Sequence, residues 1–599
     1  MKARPSHRWM VAISLAGLAA AAFAGSRYWS RAPESASRTP EVKLRAPPDR
    51  REPSGPTEPA QSPCPIQFHE VTGETGIDFQ HTDGSSGRHY IVEAMSAGVG
   101  ALDYDGDGWI DLYLPNGAPL PGYVSDRPPR HALYRNLGGW RFKETTDEAG
   151  LVCHAYGLGI AVGDYDNDGH PDIYLNNFGP NLLFHNQGDG TFRDATQRAG
   201  VARGNLVGAG ACFLDIDKDG ELDLYVGNYI ELDLRRHRLH FVRDIPSYPS
   251  PVEYKPVPDS LFRNRGDGTF ADVSQESGVA AHAGRSMGMI AADYDNDGDT
   301  DVFICNDVQE NFLFSNEGGK FQEVAVSSGV AFNREGETMA NMAPDAADFD
   351  RDGRLDFYTT NYQRQLPALF RNLGQGLFED VSTSANAGAG CFHHVNWGCG
   401  FADFDNDGRP DLFIANGHTE DNAERMDQSA MYRAPNVVLW NAGQGKFVDV
   451  SAECGDGLKP RHVSRGIALE DFDNDGDIDV AVLNSRDRPT ILRNMLNELG
   501  SANHWLQIQL RGVKTNRDGV GARVRVTAGD LVQIDEVHSG RSYQSHFGSR
   551  LHFGLGKHDR VDRIEVRWIG GGTDVLESLP ADQRLVIVES SAATAGPTR

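Results

Sequence analysis

The stretch ALDYDGDGWIDLYLPN, residues 101–116, places Asp103, Asp105, Asp107 and Asp111 at positions 1, 3, 5 and 9 of one short loop, with Gly108 at position 6. Carboxylates at that spacing can all turn inward on a single cation. The glycine permits the sharp backbone turn, and the carbonyl at position 7 adds another oxygen. This is the front half of an EF-hand-type calcium loop, with aspartate at position 9 in place of a glutamate at position 12. Oxygen-only ligation selects a hard cation, and a flexible, carboxylate-rich loop favours calcium over magnesium.

The same four aspartates return in six further loops: Asp164, Asp166, Asp168 and Asp172; Asp215, Asp217, Asp219 and Asp223; Asp293, Asp295, Asp297 and Asp301. The last three are Asp348, Asp350, Asp352 and Asp356; Asp403, Asp405, Asp407 and Asp411; and Asp471, Asp473, Asp475 and Asp479. Carboxylates crowded in this way repel one another unless they share a cation. The pattern therefore predicts up to seven structural Ca2+ ions that clamp loops rather than perform chemistry. The formal charge of −28 equals the charge of these aspartates, so it reads as metal-site charge. It argues against nucleic acid or an anionic lipid surface as a partner.

Outward from the loops the chain repeats. A glycine-rich apolar strand runs into each loop (GLGIAVGDYDND, GAGACFLDIDKD), and a β-branched and aromatic strand follows it (PDIYLNN, LDLYVGN, TDVFICN). A third strand reads LFxN (LFHN at 183, LFRN at 261, LFSN at 313, LFRN at 369), and a fourth opens with phenylalanine after a glycine turn (GTFRDAT, GTFADVS, GKFQEVA). Four short antiparallel strands per unit read as propeller blades. A lone fourth strand, FHEVTGETGI from Phe68, precedes the first loop, and ILRN at 491 lacks a fourth strand after it. Joining the two ends closes the ring, so the fold class is all-β: a seven-bladed β-propeller with calcium-binding loops plus a small C-terminal β domain.

The domain reading is a signal peptide or N-terminal anchor over 1–25, a Pro/Ser-rich disordered linker over 26–64, the propeller over 65–497, a β domain over 498–590 and a tail over 591–599. Lys2, Arg4 and Arg8 precede an apolar run from Met10 to Ala24, which ends in a small-residue cleavage pattern. That sends the chain out of the cytoplasm, to be periplasmic, secreted or anchored outside, with a membrane contacted only through the N-terminal anchor. Seven cysteines show no metal-ligand spacing. Cys391 and Cys399 share one segment and can pair, and the odd total leaves a thiol over.

The repeats resemble FG-GAP/VCBS repeats of the kind that build the integrin α propeller. The C-terminal segment resembles an ASPIC/UnbV domain through Asn516, Arg517, Gly519, Val520, Gly521, Ala522, Gly540, Ser542, Tyr543, the Phe553-Gly554-Leu555-Gly556 run and Trp568. The combination is similar to the cartilage acidic protein family and its bacterial relatives, although Ile569 stands where relatives carry proline after the tryptophan. The resemblance implies the fold, calcium, export and an interaction role.

Strand order puts the acidic loops on one face. The long insertions 117–131, 229–259 and 417–435, and His81, His89, His154, His237, His240, His282, His393, His394, His418 and His462, fall on the other. Two functions fit. One is a binding module for a protein or glycan ligand on that opposite face, with Tyr248 and Tyr254 available for stacking. The other is an enzyme with a His-rich, metal-dependent site at the channel mouth, for which His393, His394, His89, Glu93, His462 and Arg465 are the catalytic candidates. Ser539–Tyr543 reads as a turn framework within a domain that caps the ring.

Overall fold

Each inner strand runs down into an acidic loop, and the loop returns the chain as the next strand outward. In a computed structural model describing residues 64–124, 128–202, 204 and 206–590, this happens seven times. The inner strands are Gly100–Leu102, Tyr156–Gly163, Gly208–Leu214, Ser286–Ala292, Pro344–Ala347, Asn396–Ala402 and Ser464–Glu470. Each leads an antiparallel sheet of four strands, to which Met339–Ala340 adds a fifth in the blade of Ser286–Ala292, and each inner strand contacts its neighbours in an unbroken circle. Ser464–Glu470, Asp479–Asn484 and Thr490–Asn494 are completed by the N-terminal strand Phe68–Glu70, in the register Phe68↔Asn494 and Glu70↔Leu492. The chain's two ends thus share the seventh blade. The predicted propeller closure and blade number are what the structure shows.

The core lies between blades, where facing sheets bury apolar rows; Phe303 and Phe357 stack across one such seam at 4.6 Å. Glycine in the inner strands has a steric cause. A Cβ on Gly159 would sit 2.0 Å from Ala209 O, and one on Gly466 would sit 2.5 Å from Gly98 Cα. Inner strands converge on the axis, and only glycine permits that approach.

Beyond the ring, His504–Arg511 pairs with Arg550–Gly556 and, in parallel, with Gln583–Val588. Leu531–Glu536, Arg523–Ala528, Arg560–Arg567 and Thr573–Pro580 form a second sheet. These sheets and the ring fall in one compact unit. The terminal sheets lean on the acidic loops: Asp518 Oδ2 accepts the Asp164 N–H at 2.7 Å, and the Gln507 amide donates to Asp471 at 2.8 Å.

The C-terminal segment is more than the expected cap. Residues Ser539–His546 run into the central channel and bond to inner strands around it. Ile160 N donates to Gln544 O (3.0 Å), Ala101 N to His546 O (2.9 Å), Cys399 N to Ser542 Oγ (3.0 Å) and Ser542 N to Pro344 O (3.0 Å). Tyr543 reaches deepest, donating its hydroxyl to Met95 O at 3.1 Å and meeting Trp397 edge-on at 4.9 Å. The run forms the expected turn, with Arg541 N donating to Ser545 O at 2.9 Å, and that turn plugs the channel, where it supplies acceptors to inner-strand N–H groups.

The pairing open to Cys391 and Cys399 does not form; all seven cysteines are free. Cys391 lies in the turn before its inner strand, whereas Cys399 lies within the strand and directs its thiol at Ala343 O, 3.6 Å away. Residues 1–25, most of the linker and the tail lie outside the described residues.

Candidate metal loops and the opposite mouth

All seven loops share one hydrogen-bond scheme. The position-1 carboxylate accepts the position-6 glycine N–H: Gly108 to Asp103 at 2.9 Å, Gly298 to Asp293 at 3.1 Å, Gly476 to Asp471 at 2.9 Å. The position-5 carboxylate accepts the N–H two residues on, as Trp109 donates to Asp107 at 3.0 Å. The position-9 aspartates are fully buried. Oxygens of Asp103, Asp105 and Asp107 lie within 4.8 Å of one another, as do those of Asp164, Asp166 and Asp168, and of Asp215, Asp217 and Asp223.

The donor set fits a hard cation. In six loops the position-3 Oδ1 (Asp105, Asp166, Asp217, Asp350, Asp405 and Asp473) is buried without a hydrogen-bond partner, and in the remaining loop Asp293 Oδ1 is. Desolvation, reinforced by neighbouring carboxylates, raises Asp164 to about 8 and Asp475 to about 8; it raises Asp348 to about 7 against backbone hydrogen bonds. Acceptors crowded, buried and unpaired in this way are what a divalent ion satisfies.

The asparagine closing each LFxN strand is a part of the site whose role sequence reasoning missed. Its backbone N–H donates to the position-9 aspartate, and its side-chain amide donates to the position-2 carbonyl of the preceding blade's loop. Asn186 reaches Tyr104 O (2.8 Å), Asn264 reaches Tyr165 O (2.7 Å), Asn316 reaches Ile216 O (2.9 Å) and Asn372 reaches Tyr294 O (2.8 Å). Asn441 to Phe349 O, Asn494 to Phe404 O and Asn136 to Phe472 O complete the circuit at 3.0, 2.8 and 2.8 Å. The exact repetition of the motif was the available signal. The residue before the asparagine leans on the loop: Arg135 on Asp105 at 2.6 Å, Arg371 on Asp350 at 2.7 Å, and His185, 3.2 Å from Asp172.

At the other mouth the hairpin formed by His240–Val242 and Ile245–Ser247, the 3₁₀ turn Ile91–Ala94 and the insertion around Glu420 surround a cavity of about 600 Å³. Its floor holds Trp397, with the Arg465 guanidinium 4.0 Å from the ring centroid. Tyr248 links the walls, donating to Glu93 at 3.3 Å and accepting from Arg486 at 3.1 Å. Burial, helped by Asp83, raises Glu93 to about 7.

The catalytic candidates divide. His89 packs on Tyr248 at 5.0 Å, and so joins Glu93. Arg465 is wholly buried and spends its donors on carbonyls, among them Ala94 O at 2.9 Å and Gly417 O at 3.2 Å. It braces the mouth and is closed to a substrate. His462 lies 3.6 Å from Asp487, and His393 packs edge-on against Phe392 at 5.3 Å. Among the described residues, no hydrogen bond or ion pair ties His393 or His394 to the Glu93 group. The six leave different blades, and no hydrogen bond or ion pair among the described residues joins His462 to Glu93 either. Tyr254 is half-buried, its carbonyl accepting from Arg285 at 3.3 Å.

The family described as FG-GAP-like repeat matches residues 103–175, 164–226, 254–304, 293–359, 348–414 and 403–482. The family described as ASPIC and UnbV matches 512–594. Cartilage acidic protein 1 of Xenopus tropicalis is 26% identical over 505 residues, covering 80% of this chain and 71% of the relative. The protein of the same name from Mus musculus is 26% identical over 512 residues, with the same coverage.

Proposed function

Because this chain belongs to the FG-GAP-like repeat family and ends in an ASPIC and UnbV domain, we propose that it is an exported, calcium-clamped binding module whose protein or glycan ligand enters the unplugged mouth of the ring. The observation that carries this reading is the contrast between the mouths. One is filled by Ser539–His546, and the other opens on a cavity of about 600 Å³, a size suited to a small ligand or a side chain of a larger one.

The Ca2+ assignment is supported by the unpaired buried oxygens in all seven loops. Bound calcium would supply charge neutralisation there, while the loops hold the strand ends in register. Export is supported by the basic and apolar N-terminal sequence, and by the millimolar calcium that weak loop sites need. Among the described residues no helix is long and apolar enough to cross a membrane. The catalytic alternative has less support, since Arg465 is occupied by the fold and His393 and His394 stand apart from Glu93.

The test is to screen calcium-loaded protein against glycans and extracellular proteins, then repeat each hit with Thr419→Trp, which fills the mouth. Hits abolished by that substitution support the reading. Hits that bind the filled variant unchanged overturn it.

A further inference from the structure

Four aromatic residues line the cavity: Tyr229, Tyr248, Tyr362 and Trp397. Two lining carboxylates, Asp307 and Glu420, stand among them, and no lysine or arginine lines the space. A third lining acid, Asp427, is already paired with Arg364.

Glu420 is 7% exposed. Its Oε1 accepts from Ser247 Oγ at 2.7 Å and Tyr248 N at 2.9 Å, while its Oε2 is buried with no hydrogen-bond partner. Asp307, half-buried, accepts the Tyr229 hydroxyl at 2.7 Å and makes no ion pair among the described residues, and Arg285 acts on it only at a distance. Two histidines line the space: His240 lies 3.7 Å from Glu253 and acts on Glu420 without an ion pair to it, and His418 does not supply a charge. His418 Nδ1 accepts the Glu420 N–H at 3.0 Å, which places its proton on Nε2, and burial with the nearby Arg465 keeps the ring neutral, at about 4.

Glu420 Oε2, a buried acceptor without a hydrogen-bond partner, is costly as it stands, and aromatic faces attract cations. Met287 and Met342 add polarisable apolar surface. We propose that this cavity binds an organic cation, an ammonium group on an apolar body, with the charge held between Asp307 and Glu420 and the body against the aromatic walls. The proposal rests on the binding-module reading and names the chemistry of the ligand, or of the ligand's side chain, at that mouth.

The probes are hexyltrimethylammonium, 1-hexanol and hexanoate, each titrated calorimetrically into the full chain at saturating calcium, so that the acidic loops are filled. The cation is expected to bind, with the alcohol and the carboxylate weaker by about tenfold or more. Glu420→Gln and Asp307→Asn, each checked for an unchanged thermal transition, should weaken the cation by about tenfold and leave 1-hexanol unaffected. The wild-type comparison of the three probes stands even where a variant fails to fold. Equal binding of all three, preference for hexanoate, absence of cation binding, or folded variants that bind the cation unchanged would each overturn the proposal. Should Thr419→Trp still abolish capture of a neutral or anionic ligand, the broader reading survives and only the cation assignment falls.

Discussion

The ring's two mouths are built from the same seven blades and have opposite characters. Under the acidic loops every blade repeats one scheme, seven asparagines stitch each loop to the one before it, and the terminal segment plugs the hole. At the other mouth the connections are unequal in length, the side chains differ from blade to blade, and a cavity remains. Repetition gives rigidity where identical bonds close a circle. A pocket needs different residues to meet at one point, so it arises where the repeat is broken.

Withdrawing calcium should produce the largest effect, and it should strike the repeated end. With site affinities of about 10⁻⁴–10⁻³ M and about 2 mM calcium, seven sites contribute together about 5–12 kcal/mol. Chelation should therefore lower the melting temperature steeply in calorimetry. An unchanged transition would leave the two mouths without the metal difference drawn between them.

A second effect, on the slope of stability against pH, is expected in the metal-free protein. Burial raises Asp164, Asp348 and Asp475 above the unfolded value of 3.8, to about 8, 7 and 8. The folded form then binds more protons than the unfolded form across that window, so stability should fall as pH rises from about 4 to 8. Saturating calcium should abolish or reverse that slope, because the loops are then folded in their ionised form. Parallel slopes with and without calcium in denaturant titrations would contradict the loop assignment.

Asn372→Ala should cost about 2–3 kcal/mol in chemical denaturation, since it strands the buried carbonyls of Tyr294 and Leu355. A loss below about 0.5 kcal/mol would mean that the stitch is incidental. The smallest effect sharpens the plug. Tyr543→Phe removes only the bond to Met95 O and should cost about 1 kcal/mol, without altering ligand capture at the open mouth.

The blade number, the repeated carboxylate loops and the closure by Phe68–Glu70 were legible from residues alone, because local spacing encodes them. An aspartate at every second position defines a loop wherever it lies, and an unmatched fourth strand at one end answers a missing one at the other. The LFxN asparagine was visible as a motif but not as a tie, since its acceptor lies in another blade, 78 residues away between Asn372 and Tyr294 and 336 between Asn136 and Phe472. Ser539–Tyr543 was legible as a turn but not as a plug, because nothing local reports that inner-strand N–H groups await it.

Taken by itself, the sequence determined what is periodic and close in the chain: seven carboxylate loops, four-strand units and a ring with shared ends. Only the tertiary structure decided what depends on single residues meeting from distant blades. It set Arg465 on Trp397, Tyr248 between Glu93 and Arg486, and Glu420 with one oxygen unpaired above the cavity. Periodicity fixes which neighbours recur, whereas the contents of a unique pocket depend on where irregular insertions come to rest.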